Sequence, residues 1–327
     1  MNHKNYNWGI IGCGGIANKF APDLVLNSSA SIGAVASRSL EKAQAFADKH
    51  GAKKAYDSYQ ELFKDPTIDI VYIATPHVSH ATLSIEALKH GKHVLCEKPL
   101  AINAKETEAI IAAAKKQKRF FMEALWTCFN PTFLKVKSLI DDSHIGAIQY
   151  INADFAFKSN HPIEGRLFNI NLGGGALLDI GIYPVFLSYA LLGKPKNIRA
   201  NSKFHEQTGC DIQTSIILQY DNAQAILYCG LTSNSDMIAR ISATDGNIHI
   251  EDRWHQSDHY TVIKEHENCT YHLPKTGGGY FHEIEECHKC LDNNQIESKL
   301  WSHQNSLELI TLLDEIREQI GLKYPQD

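Results

Sequence analysis

The feature that most constrains the fold is a glycine-rich turn near the amino terminus. Residues 12–17 read Gly-Cys-Gly-Gly-Ile-Ala and fit the pattern G-x-G-x-x-A. The turn directly follows an apolar run at 8–11 and opens an amphipathic segment at 16–26, which is the strand–turn–helix context that gives the pattern weight. In such a turn the glycines permit the bend and let the backbone approach a pyrophosphate, and the small last residue allows close helix–strand packing. An ordinary strand–helix turn is the alternative. The motif therefore predicts a dinucleotide site at Gly12, Gly14, Gly15, Ile16 and Ala17.

The first 125 residues alternate between short apolar runs and helix-length amphipathic segments. The predicted strands are 8–11, 31–36, 70–74, 93–96 and 120–124, and the predicted helices are 16–26, 40–50, 78–90 and 104–117. Apolar strands without a polar face indicate a parallel sheet that helices cover on both sides. We therefore expect an α/β Rossmann domain, a doubly wound parallel sheet, over residues 1–125.

The second half has a different pattern, with alternating runs at 212–220, 223–231, 237–243 and 248–251. Asp221-Asn222 and Asp245-Gly246 lie between pairs of these runs and suit tight hairpin turns. A helix at 131–141, a strand at 148–157, a long apolar segment at 176–193 and closing helices at 280–291 and 305–320 complete the pattern. Because 327 residues exceed the roughly 250–300 that one core supports, we expect a second domain over 126–327, an α+β domain with an open antiparallel sheet.

Composition narrows the possible partners. The net charge is −5 and no basic block is present, so nucleic acid binding is not favoured. No secretory signal is visible, and the apolar segment contains Asp179 and Pro184, which favours a buried helix over a membrane span. Eight scattered cysteines suggest reduced thiols in the cytoplasm. A zinc site at His282, Cys287, His288 and Cys290 lacks a second C-x-x-C pair, so no metal is expected.

The end of the second strand bears on cofactor choice. NAD-binding units usually carry an acidic residue there, whereas this chain has Ser37-Arg38-Ser39 and no carboxylate before Glu41. A guanidinium and serine hydroxyls could pair with a 2′-phosphate. We therefore expect NADP(H) to be preferred, with NAD possible, and the alternative is that Arg38 is a solvated loop charge.

Four further segments are informative, namely Thr75-Pro76-His77, GKHVLCEKPL at 91–100, FMEALW at 121–126 and GGGALLDIGIY at 173–183. Together they resemble the Gfo/Idh/MocA oxidoreductase family and, within it, the branch of trans-dihydrodiol and NADP-dependent D-xylose dehydrogenases. The resemblance implies that Lys98 is the active-site lysine, that Glu97 lies beside the nicotinamide, and that Thr75, Pro76 and His77 lie near the cofactor. His80 is expected to be a solvated helix residue. Cys128 stands where this branch commonly has a basic residue, which puts substrate specificity in doubt.

The chemistry of alcohol oxidation fits the residues that this resemblance selects. A base must reach the hydroxyl, and Lys98 follows a strand at the edge of the sheet where ligands bind. Asp179 and Tyr183 are four residues apart, so a helix places them on one face. A buried carboxylate needs a partner, and Lys98 is the candidate. We predict that Lys98 or Tyr183 exchanges the proton while Asp179 orients the pair; a structural lysine and a core tyrosine are the alternatives.

Trp126, Arg166 and Asn169 are the predicted substrate contacts, although a core role for the tryptophan and a surface role for the other two are equally ordinary. The sequence thus predicts an NADP(H)-dependent oxidoreductase that moves a hydride between nicotinamide and a hydroxyl or carbonyl carbon of a sugar or trans-dihydrodiol. A non-catalytic dinucleotide-binding regulator and an NAD-linked polyol or inositol dehydrogenase are the alternatives. An exposed sheet face would be an apolar liability, so we expect a homodimer through the carboxyl-terminal sheet.

Overall fold

The computed structural model describes residues 5–265 and 267–327, and the chain divides into two compact units. The N-terminal unit runs to Phe129 and also contains Lys275–Leu307, and the C-terminal unit contains Asn130–Pro274 and Glu308–Asp327. This differs from the predicted contiguous division at residues 125 and 126, because the chain returns to the N-terminal unit.

The strands and helices are numbered in chain order. The strands are β1 (Tyr6–Ile11), β2 (Ala30–Ala36), β3 (Lys54–Tyr56), β4 (Ile70–Ile73), β5 (His93–Glu97), β6 (Phe121–Ala124), β7 (Ile148–Ala156), β8 (Asn197–Phe204), β9 (Asp211–Gln219), β10 (Gln224–Gly230), β11 (Ala239–Ala243), β12 (Gly246–Ile250), β13 (His259–Lys264) and β14 (Glu267–His272). The helices are α1 (Gly15–Leu26), α2 (Leu40–His50), α3 (Tyr59–Lys64), α4 (His80–Lys89), α5 (Ala104–Gln117), α6 (Pro131–Asp141), α7 (Ile182–Leu192), α8 (Phe281–Asp292) and α9 (His303–Ile320).

The N-terminal unit contains a six-stranded sheet in the order β3-β2-β1-β4-β5-β6, and all its strand pairs are parallel. Residues on both faces of the central strands are fully buried, as Ile10, Ile11, Ile70 and Val71 show. This is the predicted doubly wound sheet. Strand β3 was missed because it has three residues that are all at least partly exposed, so it leaves no apolar run.

The C-terminal unit contains an eight-stranded sheet in the order β14-β13-β12-β11-β7-β10-β9-β8. Its neighbours are antiparallel except β7 and β10, which are parallel, so the predicted antiparallel sheet is mixed at one pair. The predicted turn at Asp245-Gly246 is shifted by one residue. Because Ala243 pairs with Gly246, the turn residues are Thr244 and Asp245.

The long apolar segment forms a π-helical turn at Leu177–Gly181 that continues into α7. By length and composition the region Ile170–Leu192 could cross a membrane, but 83% of its most apolar window is buried inside the protein. Helix α7 packs against β7 and β10. The predicted buried helix is therefore confirmed, and it forms part of the core of the C-terminal unit.

Candidate active site

The predicted cofactor residues of the N-terminal unit lie at the carboxyl edge of its parallel sheet. Gly12 follows β1, Thr75 follows β4, and Lys98 follows β5. The strand order reverses direction between β1 and β4, and ligands of open α/β sheets bind in the crevice at such a switch point. The topology therefore brings these three chain segments to one ligand-binding edge.

The glycine turn leaves room for a ligand. Gly12 has φ +91°, and a Cβ there would lie 2.8 Å from the carbonyl oxygen of Ala74, so the fold itself requires glycine. At Gly14 and Gly15, by contrast, a Cβ would meet no atom within 4 Å. Helix α1 begins at Gly15 with no side-chain cap, so its first N–H groups can receive an anion. The turn fits a pyrophosphate.

Arg38 supplies an exposed positive charge beside this turn. Its side chain is exposed and makes no hydrogen bond or ion pair within the described parts of the chain. The Ser39 side chain accepts from the backbone N–H of Lys42 at 3.4 Å and caps α2, whereas the Ser37 N–H donates to the Tyr56 carbonyl at 3.1 Å. The loop after β2 thus holds a cation where NAD-binding units usually hold a carboxylate.

The loop after β4 is held by His80, which sequence reasoning placed wrongly. His80 is fully buried, and its ring nitrogens lie 2.8 Å from the carbonyl oxygen of Thr75 and 2.9 Å from that of Pro99. It is therefore a buried link between the loop after β4 and the segment after Lys98. The helical period was the missed signal, because Ser84 and Ala87 on the same face of α4 are also fully buried.

The strand end that carries Lys98 is fixed by two buried carboxyl groups. The Tyr72 hydroxyl donates to Glu97 at 2.5 Å, and the Lys98 N–H donates to the other oxygen of Glu97 at 3.2 Å. Glu123, on the neighbouring strand β6, accepts from the Leu100 N–H at 3.0 Å. Burial raises the pKa of Glu123, and the charge of Lys98 is among the influences that oppose this. Lys98 itself is half-buried.

In the C-terminal unit, Asp179 pairs with Arg166. The Arg166 Nη1 donates to Asp179 Oδ1 at 2.7 Å, and the Asp179 side chain is only 10% exposed. The predicted pairing of Asp179 with Lys98 joins residues of different units and stays a prediction. Asn169 accepts from the Asn171 N–H at 3.0 Å and caps a short helical turn, so its predicted role toward substrate also stays a prediction.

Tyr183 lies in an aromatic cluster that the sequence did not reveal. Its ring centroid is 5.4 Å from that of Phe155 and 5.2 Å from that of His255. Phe155 and His255 stack on each other at 4.2 Å, and the Trp254 indole donates to the carbonyl oxygen of Asp154 at 2.9 Å. No local pattern pointed to these residues, because they come from β7 and from the segment between β12 and β13.

Trp126 is packed within the N-terminal unit. Its ring stacks on that of Tyr280 at 4.7 Å, and Gly279, with φ +106°, lies close against the Trp126 ring. These contacts support a core role for Trp126, and the predicted wall of a substrate pocket stays a prediction. Cys128, where a basic residue was expected, is buried and directs its sulfur toward the carbonyl oxygen of Leu300 at 3.5 Å.

The cysteines considered for zinc have ordinary structural surroundings. Cys287 and Cys290 are fully buried, and the Trp8 indole donates to His288 Nε2 at 3.1 Å. Burial lowers the pKa of His288 to about 4. Among the described residues, a group with ligand atoms close enough to share an ion is formed by Asp258, His259 and His272, and it contains none of the zinc candidates.

Comparison with known proteins covers both units. Residues 6–125 match the Gfo/Idh/MocA oxidoreductase family, described as having an NAD-binding Rossmann fold, and residues 133–249 match the carboxyl-terminal domain of that family. The trans-1,2-dihydrobenzene-1,2-diol dehydrogenase of Xenopus laevis is 38% identical over 334 residues, spanning 97% of this chain and 99% of the relative. The chain belongs to the Gfo/Idh/MocA oxidoreductase family. The resemblance to the dihydrodiol branch is confirmed as well.

Other members of the Gfo/Idh/MocA family extend the comparison. The scyllo-inositol 2-dehydrogenase (NADP(+)) of Bacillus subtilis is 34% identical over 327 residues, which cover 97% of this chain and 98% of that one. A 3-ketoreductase from Actinomadura kijaniata, solved with NADP and TDP-benzene, matches with a TM-score of 0.88 at 24% identity over 97% of this chain and 98% of its own. The aldose-aldose oxidoreductase of Caulobacter crescentus gives a TM-score of 0.89 at 22% identity over the same shares. These two structures support the fold.

Proposed function

We propose that this chain is an NADP(H)-dependent oxidoreductase that transfers a hydride between nicotinamide and a hydroxyl- or carbonyl-bearing carbon of a sugar or trans-dihydrodiol. The observation that carries the proposal is that the open glycine turn, Arg38 and Lys98 lie at the carboxyl edge of one parallel sheet. The identity of 34–38% with dihydrodiol dehydrogenases over nearly the whole chain supports the substrate class.

Each part of the cofactor has residues suited to hold it. The backbone at Gly14 and Gly15 would receive the pyrophosphate, and Arg38 would pair with a 2′-phosphate. The segment Thr75-Pro76-His77 and Glu97 lie at the strand ends that would flank the nicotinamide. When bound, the nicotinamide supplies the hydride acceptor or donor, and the protein supplies orientation and proton transfer.

The proton is the part of the reaction that the side chains must handle. Oxidation of a CH–OH group breaks the C–H bond with loss of hydride, and the hydroxyl proton passes to a base. Lys98 Nζ or Tyr183 Oη accepts that proton in this proposal, and Asp179 orients the pair. The Arg166 Nη1 lies 2.7 Å from Asp179 Oδ1, and this ion pair offsets the cost of keeping the Asp179 carboxylate almost fully buried.

We also propose that the protein is a homodimer in which the exposed face of the C-terminal sheet meets a second copy. Along β9, exposed Ser215 and Ile217 alternate with buried Thr214, Ile216 and Leu218. Ile217 pairs across the ladder with Ile226 of β10, and each is 40% exposed. Two neighbouring apolar side chains on an exposed sheet face favour burial by an identical face about a two-fold axis.

A spectrophotometric assay of nicotinamide reduction tests the proposed reaction. NADP and NAD are each offered with D-xylose, D-glucose, scyllo-inositol and a trans-dihydrodiol, using the wild type, Lys98→Met and Tyr183→Phe. We expect turnover with at least one substrate, and kcat lower by roughly 10²-fold or more in each variant while cofactor affinity changes little. Lys105→Met, at an exposed position on α5, is the matched control. Wild-type kcat in both variants would exclude the proposed proton transfer, and NADP binding without turnover of any substrate would favour a regulator.

A further inference from the structure

Asp211, the first residue of β9, is a fully buried carboxyl group at the start of the helical segment that carries Asp179 and Tyr183. Its Oδ2 accepts from the backbone N–H of Leu177 at 2.8 Å and from the Thr214 hydroxyl at 2.8 Å. Leu177 is the first residue of the π-helical turn. The carboxyl group therefore occupies the place of a helix N-cap, but it comes from a strand 34 residues further along the chain.

The glycine run before this helix is shaped around the same carboxyl group. Gly175 has φ +129°, and a Cβ there would lie 2.1 Å from Asp211 Oδ1. The Tyr324 hydroxyl donates to the carbonyl oxygen of Gly174 at 2.9 Å, and a Cβ at Gly174 would lie 2.6 Å from the carbonyl oxygen of Arg166. The glycines thus allow close packing with Asp211 on one side and with the segment that carries Arg166 on the other.

We propose that Asp211 is a positioning residue that fixes the start of the helical segment and so places Asp179 and Tyr183 for the reaction. A negative group at a helix N-terminus is stabilised by the unpaired N–H groups and by the helix dipole. Asp179 and Tyr183 follow Leu177 by two and six residues, so a shift of the first turn moves both. The proposal rests on the proposed function, because it assigns Asp211 a role in the same reaction.

The charge of Asp211 depends on pH near neutrality. Burial raises its pKa to about 6, and the hydrogen bonds from Thr214, Leu177 and Ala176 oppose this. The titratable groups whose ionisation it influences are Cys210, Cys229 and Tyr324, whose own pKa values are raised by burial. These groups are neutral at pH 7, and Arg317 acts on the same region through its position over the Tyr324 ring. Above about pH 6 the ionised Asp211 carboxylate accepts from the Leu177 N–H and from the Thr214 hydroxyl. Below this pH the carboxyl group is protonated, which weakens its hydrogen bond to the start of the helical segment.

The test compares the wild type with Asp211→Asn, which keeps the size of the side chain and removes its charge. Steady-state kinetics are measured from about pH 5 to about pH 8 with the substrate found above. At the upper end we expect kcat to fall by roughly 10- to 100-fold, as for a misplaced catalytic group, with the KM for NADP within about two-fold. The ratio of wild-type to variant kcat should shrink toward one as the pH falls through about 6, because wild-type Asp211 then becomes neutral too. Asp221→Asn, an exposed turn residue paired with Lys196, is the matched control.

A second measurement does not depend on turnover. Hydrogen–deuterium exchange of the peptide covering residues 176–183 should be faster in Asp211→Asn than in the wild type at the upper pH and unchanged in Asp221→Asn. If the wild type turns over no substrate, the proposed function fails. If the exchange of this peptide is the same in Asp211→Asn as in the wild type, the proposed role of Asp211 at the start of the helical segment fails, whatever the outcome of the kinetic assay. A kcat ratio that is the same at every pH would reduce Asp211 to a structural residue.

Thr214→Val provides the same test if Asp211→Asn fails to fold. It removes one donor to the carboxylate and so should raise the pKa of Asp211 further. The acid limb of the kcat profile is then expected to move to higher pH than in the wild type. An acid limb at the wild-type position would overturn the proposal.

Discussion

In the proposed function, Arg38 sets the preference between NADP and NAD by the charge and the hydrogen-bond donors of its guanidinium. The nearest carboxylate in sequence is Glu41, in the first turn of α2, and Ser39 is engaged in capping that helix. The guanidinium N–H groups can form charge-assisted hydrogen bonds to a dianionic 2′-phosphate, whereas hydrogen bonds to the neutral ribose hydroxyls of NAD are weaker. We therefore expect the preference for NADP to depend on this side chain more than on the serines beside it.

Replacement of Arg38 by alanine should reverse the cofactor preference. Loss of a charge-assisted pair costs about 1.5–3 kcal/mol, so kcat/KM for NADP should fall roughly 10- to 100-fold while that for NAD changes little. Initial rates measured over a range of NADP or NAD concentrations, at one fixed substrate concentration, give the ratio of kcat/KM for NADP to kcat/KM for NAD. Lys53→Ala is the control, because Lys53 is an exposed cation just before β3 and so lies at the amino ends of the strands, away from the proposed cofactor site at their carboxyl ends. If Arg38→Ala leaves the ratio of kcat/KM for NADP to kcat/KM for NAD unchanged, Arg38 is a solvated loop residue with no role in cofactor choice.

Glu283 on α8 is a buried acid without a partner. It is fully buried, and neither carboxyl oxygen has a hydrogen-bond partner among the described residues. Burial raises its pKa well above the usual range, and the nearby charges of Glu97 and Asp23 raise it further. Above the unfolded pKa of about 4.5 the folded state therefore binds more protons than the unfolded state, so the free energy of unfolding falls as pH rises.

Glu283→Leu should stabilise the protein, and more so at high pH. A buried polar group without a hydrogen bond costs about 1–3 kcal/mol, and 1 kcal/mol corresponds to about 2–4 °C in Tm for a domain of this size. Calorimetry at about pH 5 and about pH 8 should show a larger gain in Tm at the higher value. Glu285→Leu, at an exposed position on the same helix, should change Tm little. A lower Tm for Glu283→Leu at both pH values would mean that the acid has a stabilising partner when a ligand or water is bound.

At the scale of elements, the helix that carries Asp179 and Tyr183 changes type between them. Asp179 lies in the π-helical turn and Tyr183 in α7. Pro184, the third residue of α7, has no N–H to donate to the preceding turn, and the wider turn ends at Gly181, three residues before it. Such π-helical turns occur often at functional sites. The spacing of four residues thus keeps both side chains close to one face without requiring an ideal α-helix.

Local signals explain which elements the sequence could predict. Helices α2, α5 and α6 have the predicted bounds, because Ser39, Asn103 and Asn130 cap their starts and Gly51 ends α2 in the left-handed conformation. Strands β13 and β14 were not predicted individually. The second is exposed at every residue, so neither alternation nor an apolar run marks it.

The candidate site also contains both residues that local sequence signals could locate and contacts that they could not. The positions of the glycine turn and Arg38 followed from the predicted ends of β1 and β2, whereas Lys98 was selected by the family resemblance together with its position after β5. The pairs Arg166–Asp179 and Asp211–Leu177 join residues 13 and 34 positions apart, and His255 reaches Tyr183 from a different segment. Periodicity describes neighbours along one element, so contacts of this kind are set by the tertiary fold alone.

At the scale of the whole molecule, the chain leaves the N-terminal unit at Phe129 and returns at Lys275. The return is anchored by Asp23 of α1, which accepts from the backbone N–H groups of Gly278, Tyr280 and Phe281 at 2.8–3.2 Å. Phe281 is the first residue of α8, and Gly278 and Tyr280 lie just before it, so the carboxylate binds N–H groups where the helix supplies no acceptor. A buried aspartate in one helix therefore caps another that is more than 250 residues later, which explains why a contiguous division of the sequence does not match the compact units.

The proposed homodimer makes a prediction at this scale. Ile226→Lys places a charge on the exposed face of the sheet, on β10, two strands from the β8 edge. In the proposed two-fold contact this charge would face an apolar surface or the same lysine of the second copy, so we expect a dimer for the wild type and a monomer for the variant. Sedimentation velocity measures the mass of both. Ile163→Lys is the matched control, because Ile163 is 39% exposed, like Ile226, but lies outside the sheet. A wild-type monomer would contradict the proposal, and a dimer that survives Ile226→Lys would require another surface. Circular dichroism shows whether the variant keeps the secondary structure of the wild type. We expect that it does, because the cross-strand neighbours of Ile226, which are Ile217 and Asn152, lie on the same exposed face. A monomer with unchanged secondary structure would mean that the charge acts on association and not on folding.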